Sequence, residues 1–232
     1  MKSILITGAS SGIGRATAEL FLQQGWRVGL IARRAEMLQE VAQGHIRQAV
    51  VLPADVTDPD QMQDAFDRFG APDVLFNNAG MFGKSGPIDE IPLEDWAQVL
   101  GVNLNGMFIA ARLAFGAMRA NGGGRIINNG SLSAYVPRPG SVTYTTTKHA
   151  ITGLTKTLSL DGRPFNIACG QIDIGNAETA IVAGLKSQVP DMPTMEVSNA
   201  AQAVLHMASM PEGANVQFMT VMATNMPYIG RG

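Results

Sequence analysis

Tyr144 and Lys148 stand four residues apart in a run of helical periodicity, so both side chains leave one face close enough to interact. An ammonium beside a phenol favours the phenolate and draws the tyrosine pKa down from about 10, which makes a usable general acid and base. The same spacing is common in pairs that only decorate a helix surface, so its weight depends on its company. Ser131, taken alone, reads as a hydroxyl that closes a turn at a strand end. Near the N-terminus, Thr7-Gly8-Ala9-Ser10-Ser11-Gly12-Ile13-Gly14 joins a short apolar run to a helical one. Glycines there let the backbone approach a diphosphate, and the first N–H groups and the dipole of the following helix attract it. Because the string follows a strand pattern and opens a helix pattern, it reads as a dinucleotide site. The second strand pattern ends in Ala32-Arg33-Arg34, with no carboxylate to take a ribose 2′-hydroxyl. Guanidinium forks suit a 2′-phosphate, so these residues favour NADP(H) over NAD(H).

Such groups need a scaffold that delivers them to one place. Apolar runs at Ser3 to Thr7, Val28 to Ala32, Ala49 to Leu52, Val74 to Phe76, Arg125 to Asn128, Phe165 to Cys169 and Val216 to Met222 read as strands. Helical patterns cover Arg15 to Gln24, Ala35 to Gln43, Pro59 to Phe69, Leu93 to about Met118, Val142 to about Leu160, Ala177 to Lys186 and Asn199 to Ser209. Asp58-Pro59 is an N-cap with proline at the first helical position. Strands that are apolar throughout, rather than alternating, predict a sheet covered on both faces. The expectation is an α/β chain with a Rossmann-type doubly wound sheet of about seven mostly parallel strands, in one domain over residues 1–232. Loops at 81–92, 132–140 and 173–197 are expected to shape a substrate site, the last as a lid.

Taken together, Thr7-Gly8-x-x-x-Gly12-Ile13-Gly14, Asp55-Val56, Asn77-Asn78-Ala79-Gly80, Asn103, Ser131 and Tyr144-x-x-x-Lys148 resemble the short-chain dehydrogenase/reductase family in order and spacing, from residue 3 to about 222. The resemblance implies hydride transfer between NADP(H) and a carbonyl or secondary alcohol, with Asn103, Ser131, Tyr144 and Lys148 as a catalytic tetrad. Tyr144 would exchange a proton with the substrate oxygen, and Ser131 would hold that oxygen. Lys148 would lower the tyrosine pKa and bond the nicotinamide ribose. Asn103, at the irregular point that Gly101 and Gly106 mark in the long helix, would anchor a water linking Lys148 to solvent. Gly8, Ser10, Ser11, Gly12, Ile13 and Gly14 would cradle the diphosphate, Arg33 and Arg34 the adenosine phosphate. Asp55 and Val56 would flank the adenine, and Asn77, Ala79 and Gly80 would line the cofactor.

The chain also departs from the family pattern. Cys169-Gly170-Gln171-Ile172-Asp173-Ile174 ends strand six with cysteine where many members have proline, and isoleucine where many have threonine. The nicotinamide amide is expected at the backbone of Ile172, with Thr179 as a substitute hydroxyl. Ser11 stands where NADP-dependent members often carry a basic residue, and Ala223-Thr224-Asn225-Met226-Pro227 replaces the usual Asp-Gly-Gly ending. The alternative function is a catalytically idle NADP(H)-binding sensor or scaffold of the same fold. Such proteins usually lose the tyrosine, lysine or serine, and none is missing. An epimerase or dehydratase of the longer branch would need an added substrate domain, for which the residues after the seventh strand leave no room.

Composition narrows the partners. Seventeen basic against 19 acidic side chains, a formal charge of −2, give no drive toward nucleic acid or an anionic membrane, and 46% hydrophobic residues can bury a sizeable core. The lone cysteine, Cys169, is expected to be a small buried hydrophobe, no Cys/His cluster offers a metal site, and a cytoplasmic location follows. The longest apolar stretch, Gly106 to Met118, is interrupted by Arg112 and falls short of the roughly 20 residues of a membrane span. Val99, Val102, Leu104, Met107, Phe108, Leu113 and Phe115 cover more than one helix face, which predicts a second burial partner and a homo-oligomer, dimer or tetramer. His149 points away from Lys148, and Met81, Met192 and Met195 are expected to border the substrate site.

Overall fold

The computed structural model describes residues 1–179, 182 and 191–228. Strands β1 (Ser3–Thr7), β2 (Arg27–Ala32), β3 (Ala49–Pro53), β4 (Val74–Asn77), β5 (Gly124–Asn129), β6 (Ile167–Ile174) and β7 (Phe218–Val221) form one sheet in the order β3-β2-β1-β4-β5-β6-β7, with every neighbouring pair parallel. Helices α1 (Gly12–Gln23), α2 (Ala35–Ala42), α3 (Pro59–Phe69), α4 (Leu93–Leu100), α5 (Met107–Ala120), α6 (Val142–Gly162) and α7 (Val197–Ala208) connect them. Successive side chains of β1 alternate between two cores, Ile4 and Ile6 packing with Phe21 of α1 and Val204 of α7, Leu5 with Phe66 of α3 and Ala114 of α5. Both faces are therefore dry, and the strand order reverses between β1 and β4, which opens a crevice at their carboxyl ends.

Local signals act where expected. Asp58 caps α3 by accepting from the N–H groups of Asp60 and Gln61 at 3.0 and 3.1 Å, with Pro59 at the first helical position. The glycine-marked stretch between α4 and α5 is a π-helical turn, Gly101–Gly106, and Gly106 lets it press on Val56, whose Cγ2 would lie 2.8 Å from any added Cβ. The continuous helical run Leu93–Ala120 has 28 residues and a mean hydropathy of 1.4 in its most apolar window, long and apolar enough to cross a bilayer by length and composition. Its inner face, with Val99, Met107, Ala110, Ala111, Ala114 and Met118, is buried inside the protein.

Strand six differs from expectation. It begins after Asn166, which turns the chain at a φ of 54°, and continues through Ile174 rather than stopping near Cys169. Gly170, Gln171 and Asp173 broke the apolar pattern, yet β7 pairs with Gln171 to Ile174, and Gly170 is required because an added Cβ would lie 2.1 Å from the carbonyl of Val216. Residues 173 and 174 thus belong to the sheet. The helix expected over Ala177 to Lys186 lies mostly outside the described residues. The described residues on either side of it are joined: Ala177 and Met195 form a parallel bridge in which Glu178 N–H donates to Met195 O at 2.8 Å.

Candidate active site

The crevice between β1 and β4 opens into a cavity of about 410 Å³. At one end the turn after β1 runs directly into α1, whose cap residue Ser11 makes no side-chain hydrogen bond to the helix and whose first turn carries no acidic residue. Its first N–H groups and positive dipole end are thus uncompensated by the protein, which suits an anion. Gly8 has a φ of 69°, and a Cβ on Gly14 would lie 2.2 Å from the carbonyl oxygen of Gly8. Only glycine lets helix and turn approach that closely. Gly8, Ser10, Ser11, Gly12 and Ile13 line the cavity, and Gly14 packs the turn behind them. The donor set and the cradle fit a dinucleotide diphosphate.

Past the end of β2 the cavity is lined by Ala32, Arg33 and Arg34 on one side and Asp55 and Val56 on the other. Both arginines are exposed, and no carboxylate of the described residues forms an ion pair with either. Asp55 accepts from the N–H and hydroxyl of Thr57 at 2.9 and 2.8 Å. Burial pushes its carboxyl up, but those bonds and the charge of Arg33 outweigh it and hold the group below its usual range.

At the other end lie Ser131, Tyr144 and Lys148. Ser131 follows β5 and starts a short 3₁₀ turn, Leu132–Ala134; its hydroxyl accepts from Ser133 N–H at 3.1 Å. Tyr144 and Lys148 lie one turn apart on α6, with the lysine Nζ 5.4 Å from the tyrosine ring centre and donating to Asn129 O at 2.8 Å. Phe82 stacks on Tyr144 at 4.1 Å between ring centres. Burial pushes the Tyr144 phenol up, against the nearby Ser131 hydroxyl and the charge of Arg138, which favour the phenolate; Asp173 adds to the rise. Burial lowers Lys148 to about 8, with Asp173 opposing the fall. In the protein by itself desolvation thus outweighs the groups that favour the phenolate.

Asn103 is fully buried in the π-helical turn. Its amide accepts from Met81 N–H and donates to Met81 O, each at 2.8 Å, and donates to Thr147 at 3.3 Å. It thereby ties the start of the 81–92 loop to α6 and does not line the cavity. Ala79, Gly80, Met81 and Asn78 do line it, whereas Asn77 turns away from it and donates to Met107 O, at the start of α5, at 2.7 Å. Ile172 is likewise misplaced by the sequence reading. Paired with Asn129 and Met219 in mid-strand and fully buried in the core, it does not reach the cavity. Because β6 runs longer than expected, its successors Gly175, Asn176, Ala177 and Thr179 line the cavity instead, and Thr179 reaches the glycine turn, its Cγ2 lying 3.2 Å from where Gly12 would carry a Cβ. Of the three methionines expected at the site, Met81 lines it and Met195 is in the core.

Asp173 was missed. It is fully buried on β6, accepts from Ser131 N–H at 2.9 Å, from the Gln171 amide at 2.7 Å and from the Tyr135 hydroxyl at 3.1 Å. Gly130 exists to make room for it, since an added Cβ there would lie 2.1 Å from its Oδ1. Burial raises the Asp173 carboxyl, while these bonds and Lys148 favour its charged form. The sequence signal was a carboxylate inside an otherwise apolar strand, masked by reading residue 173 as loop. Cys169 is buried, and its thiol is pushed up to about 12 by desolvation, which makes it inert packing.

The family model for short chain dehydrogenases matches residues 2–190. A 2-(R)-hydroxypropyl-CoM dehydrogenase of Xanthobacter autotrophicus is 36% identical over 215 residues, covering 85% of this chain and 86% of that protein. Among solved structures, a closed form of serine dehydrogenase complexed with NADP⁺ superimposes with a TM-score of 0.93 at 23% identity, covering 99% of this chain and 98% of that one. A 3-ketoacyl-(acyl-carrier-protein) reductase from Brucella melitensis complexed with NADH gives a TM-score of 0.86 at 26% identity, covering 95% and 96%.

Proposed function

The chain belongs to the short-chain dehydrogenase/reductase family, and from that premise we propose that it is an NADP(H)-dependent oxidoreductase interconverting a carbonyl and a secondary alcohol. The observation that carries the proposal is the meeting of Ser131, Tyr144 and Lys148 in the cavity that begins at the glycine turn. A bound nicotinamide would supply the hydride and, when oxidised, a positive ring. The protein's own contribution is placement and proton handling. The α1 N-terminus and the Gly8 to Ile13 turn would hold the diphosphate, and Arg33 and Arg34, which form no ion pair with a carboxylate among the described residues, would meet a 2′-phosphate. Thr179 would offer the side-chain hydroxyl for the carboxamide, and the backbone beyond β6, rather than that of Ile172, would meet its amide.

Tyr144, kept protonated by burial, is ready to donate to the oxygen of a carbonyl substrate as that oxygen gains negative charge. Ser131 positions the same oxygen, and its backbone is fixed from below by Asp173. Lys148, lowered to about 8 and bonded to Asn129 O, is poised to bond the nicotinamide ribose and to restore the tyrosine proton. Asn103 acts on this reading as a positioning residue, since its side-chain amide is engaged by Met81 and Thr147. The substrate site is built from the same unit's loops.

Purified protein mixed with NADPH and a panel of ketones, aldehydes and β-ketoacyl thioesters tests the proposal. Substrate-dependent NADPH consumption is the expected result. Tight NADPH binding, seen by fluorescence titration, with no turnover anywhere on the panel would favour the idle sensor. For the cofactor preference, replacing Arg33 and Arg34 by alanine is expected to raise KM for NADPH by at least about tenfold while changing KM for NADH little, in keeping with the loss of charge-assisted phosphate bonds.

A further inference from the structure

One cation at the catalytic end of the cavity has no task in the mechanism above. Arg138 lies between two prolines, in Val136-Pro137-Arg138-Pro139-Gly140. Proline fixes its own φ and confines the residue before it to extended backbone, so this segment has few conformations to lose. The loop is also held from three sides. Gly86 N–H donates to Gly140 O at 3.1 Å, Ser141 Oγ donates to Arg138 O at 2.8 Å, and Ser141 Oγ is 3.0 Å from Thr145 Oγ1 on α6. A stiff, pinned loop thus carries the guanidinium into the wall of the cavity it shares with Ser131, Tyr144 and Phe82.

The guanidinium is only part-exposed, and among the described residues no carboxylate lies within ion-pair distance of it. Arg125 shows what a structural arginine looks like in this protein: its guanidinium is matched by Asn215 Oδ1 at 3.0 Å and by the carbonyls of Ala214 and Met210 at 2.9 and 3.4 Å. Beneath the catalytic floor the carboxylate of Asp173 is already taken by Ser131, Gln171 and Tyr135. The other lining cations are assigned elsewhere, Lys148 to Asn129 and Arg33 and Arg34 to the far end of the cavity past β2. A part-exposed guanidinium that lines the cavity beside the reacting groups without a carboxylate partner among the described residues is available to an anionic group of a ligand.

We propose that Arg138 is the substrate-charge receptor of this enzyme and that the substrate is a compact oxo or hydroxy acid whose carboxylate pairs with it while the reacting oxygen lies between Ser131 and Tyr144. The inference rests on the oxidoreductase reading and adds the substrate class. A carboxylate matches the planar fork with two parallel hydrogen bonds, and the same cation electrostatically favours negative charge at the Tyr144 oxygen. Substrate recognition and proton chemistry then share one loop.

Matched pairs of acid and primary amide decide it: pyruvate, acetoacetate and levulinate against pyruvamide, acetoacetamide and levulinamide. Each is measured as kcat/KM with NADPH and, separately, by calorimetric binding to the NADP⁺-loaded protein. Wild type is expected to prefer the acid in at least one pair by at least about tenfold, as a charge-assisted bond provides. Arg138→Gln brings that ratio toward one, and Arg138→Lys keeps part of it. Absence of acid preference in every pair, or a preference that survives Arg138→Gln, overturns the inference and leaves the oxidoreductase reading standing. So does a loss of NADPH affinity in Arg138→Gln with the acid-to-amide ratio intact, which would place the guanidinium on the cofactor. Failure of the oxidoreductase reading looks different: no turnover of any compound, while the binding preference still reports on Arg138.

Discussion

Burial leads the shifts of Lys148 and Tyr144, and Asp173 modulates them in a direction that can be worked out. Its carboxylate favours the cation on Lys148, which burial lowers to about 8, and disfavours the phenolate on Tyr144. The other groups facing this one are the charge of Arg138 from the 132–140 loop, acting on Tyr144, and the Tyr135 phenol, kept neutral because burial and Asp173 push it up to about 12. Removing the Asp173 charge therefore lowers both the Lys148 and the Tyr144 pKa. In Asp173→Asn the alkaline limb of the kcat/KM profile for carbonyl reduction is expected to move to lower pH; an unmoved limb would show that Asp173 serves only to hold the Ser131 backbone. The residue pattern showed Tyr144 and Lys148 at once, because four-residue helical spacing is visible in one dimension, whereas Ser131 came with the family resemblance. Asp173 and Arg138 were not legible in the same way: burial and the lack of a counter-charge are properties of the packed chain, not of spacing.

Elements were legible to the extent that their local signals were undisturbed. The Asp58-Pro59 cap of α3 and the glycine turn into α1 are written in adjacent residues, and replacing Asp58 by alanine is expected to cost about 1 kcal/mol in chemical denaturation. Strand β6 was misjudged because two polar side chains and Gly170 hide its continuity, and both matter to the site: Gln171 donates to Asp173, and the strand's extra length moves the cavity lining from Ile172 to Gly175 and beyond. The junction of β5 with β6 gives a sharp test. Gly130→Ala drives a methyl onto Asp173 Oδ1 and is expected to destabilise the protein by about 1–3 kcal/mol, as overpacking does. Because Asp173→Ser also leaves Ser131 N–H, Gln171 and Tyr135 without their acceptor, the clash is read as coupling: the double variant is expected to lose less than the two single losses added together, and additive losses would refute the steric account.

At the scale of the whole molecule, the parallel order β3-β2-β1-β4-β5-β6-β7 places the carboxyl ends of β1, β4 and β5 around one crevice, so that a turn at residue 8 and a helix at residue 144 serve the same cavity. Near-continuous apolar strands were enough to expect this sheet, while the shape of the loops over it depends on contacts between distant segments, such as Gly86 with Gly140. Phe108 on α5 and Leu160 on α6 remain 53% and 57% exposed, and light scattering at micromolar concentration is expected to give more than one chain per particle. A monomer there would remove the expectation of a homo-oligomer. The central claim is that the cavity runs from cofactor to proton donor as a single reaction centre. Its most direct test is the rate of NADPH oxidation by Tyr144→Phe, on whichever carbonyl compound the wild type turns over fastest, with NADPH affinity measured alongside. A fall in kcat of at least about 10²-fold with NADPH affinity retained is the predicted result; turnover by Tyr144→Phe equal to that of the wild type would contradict it.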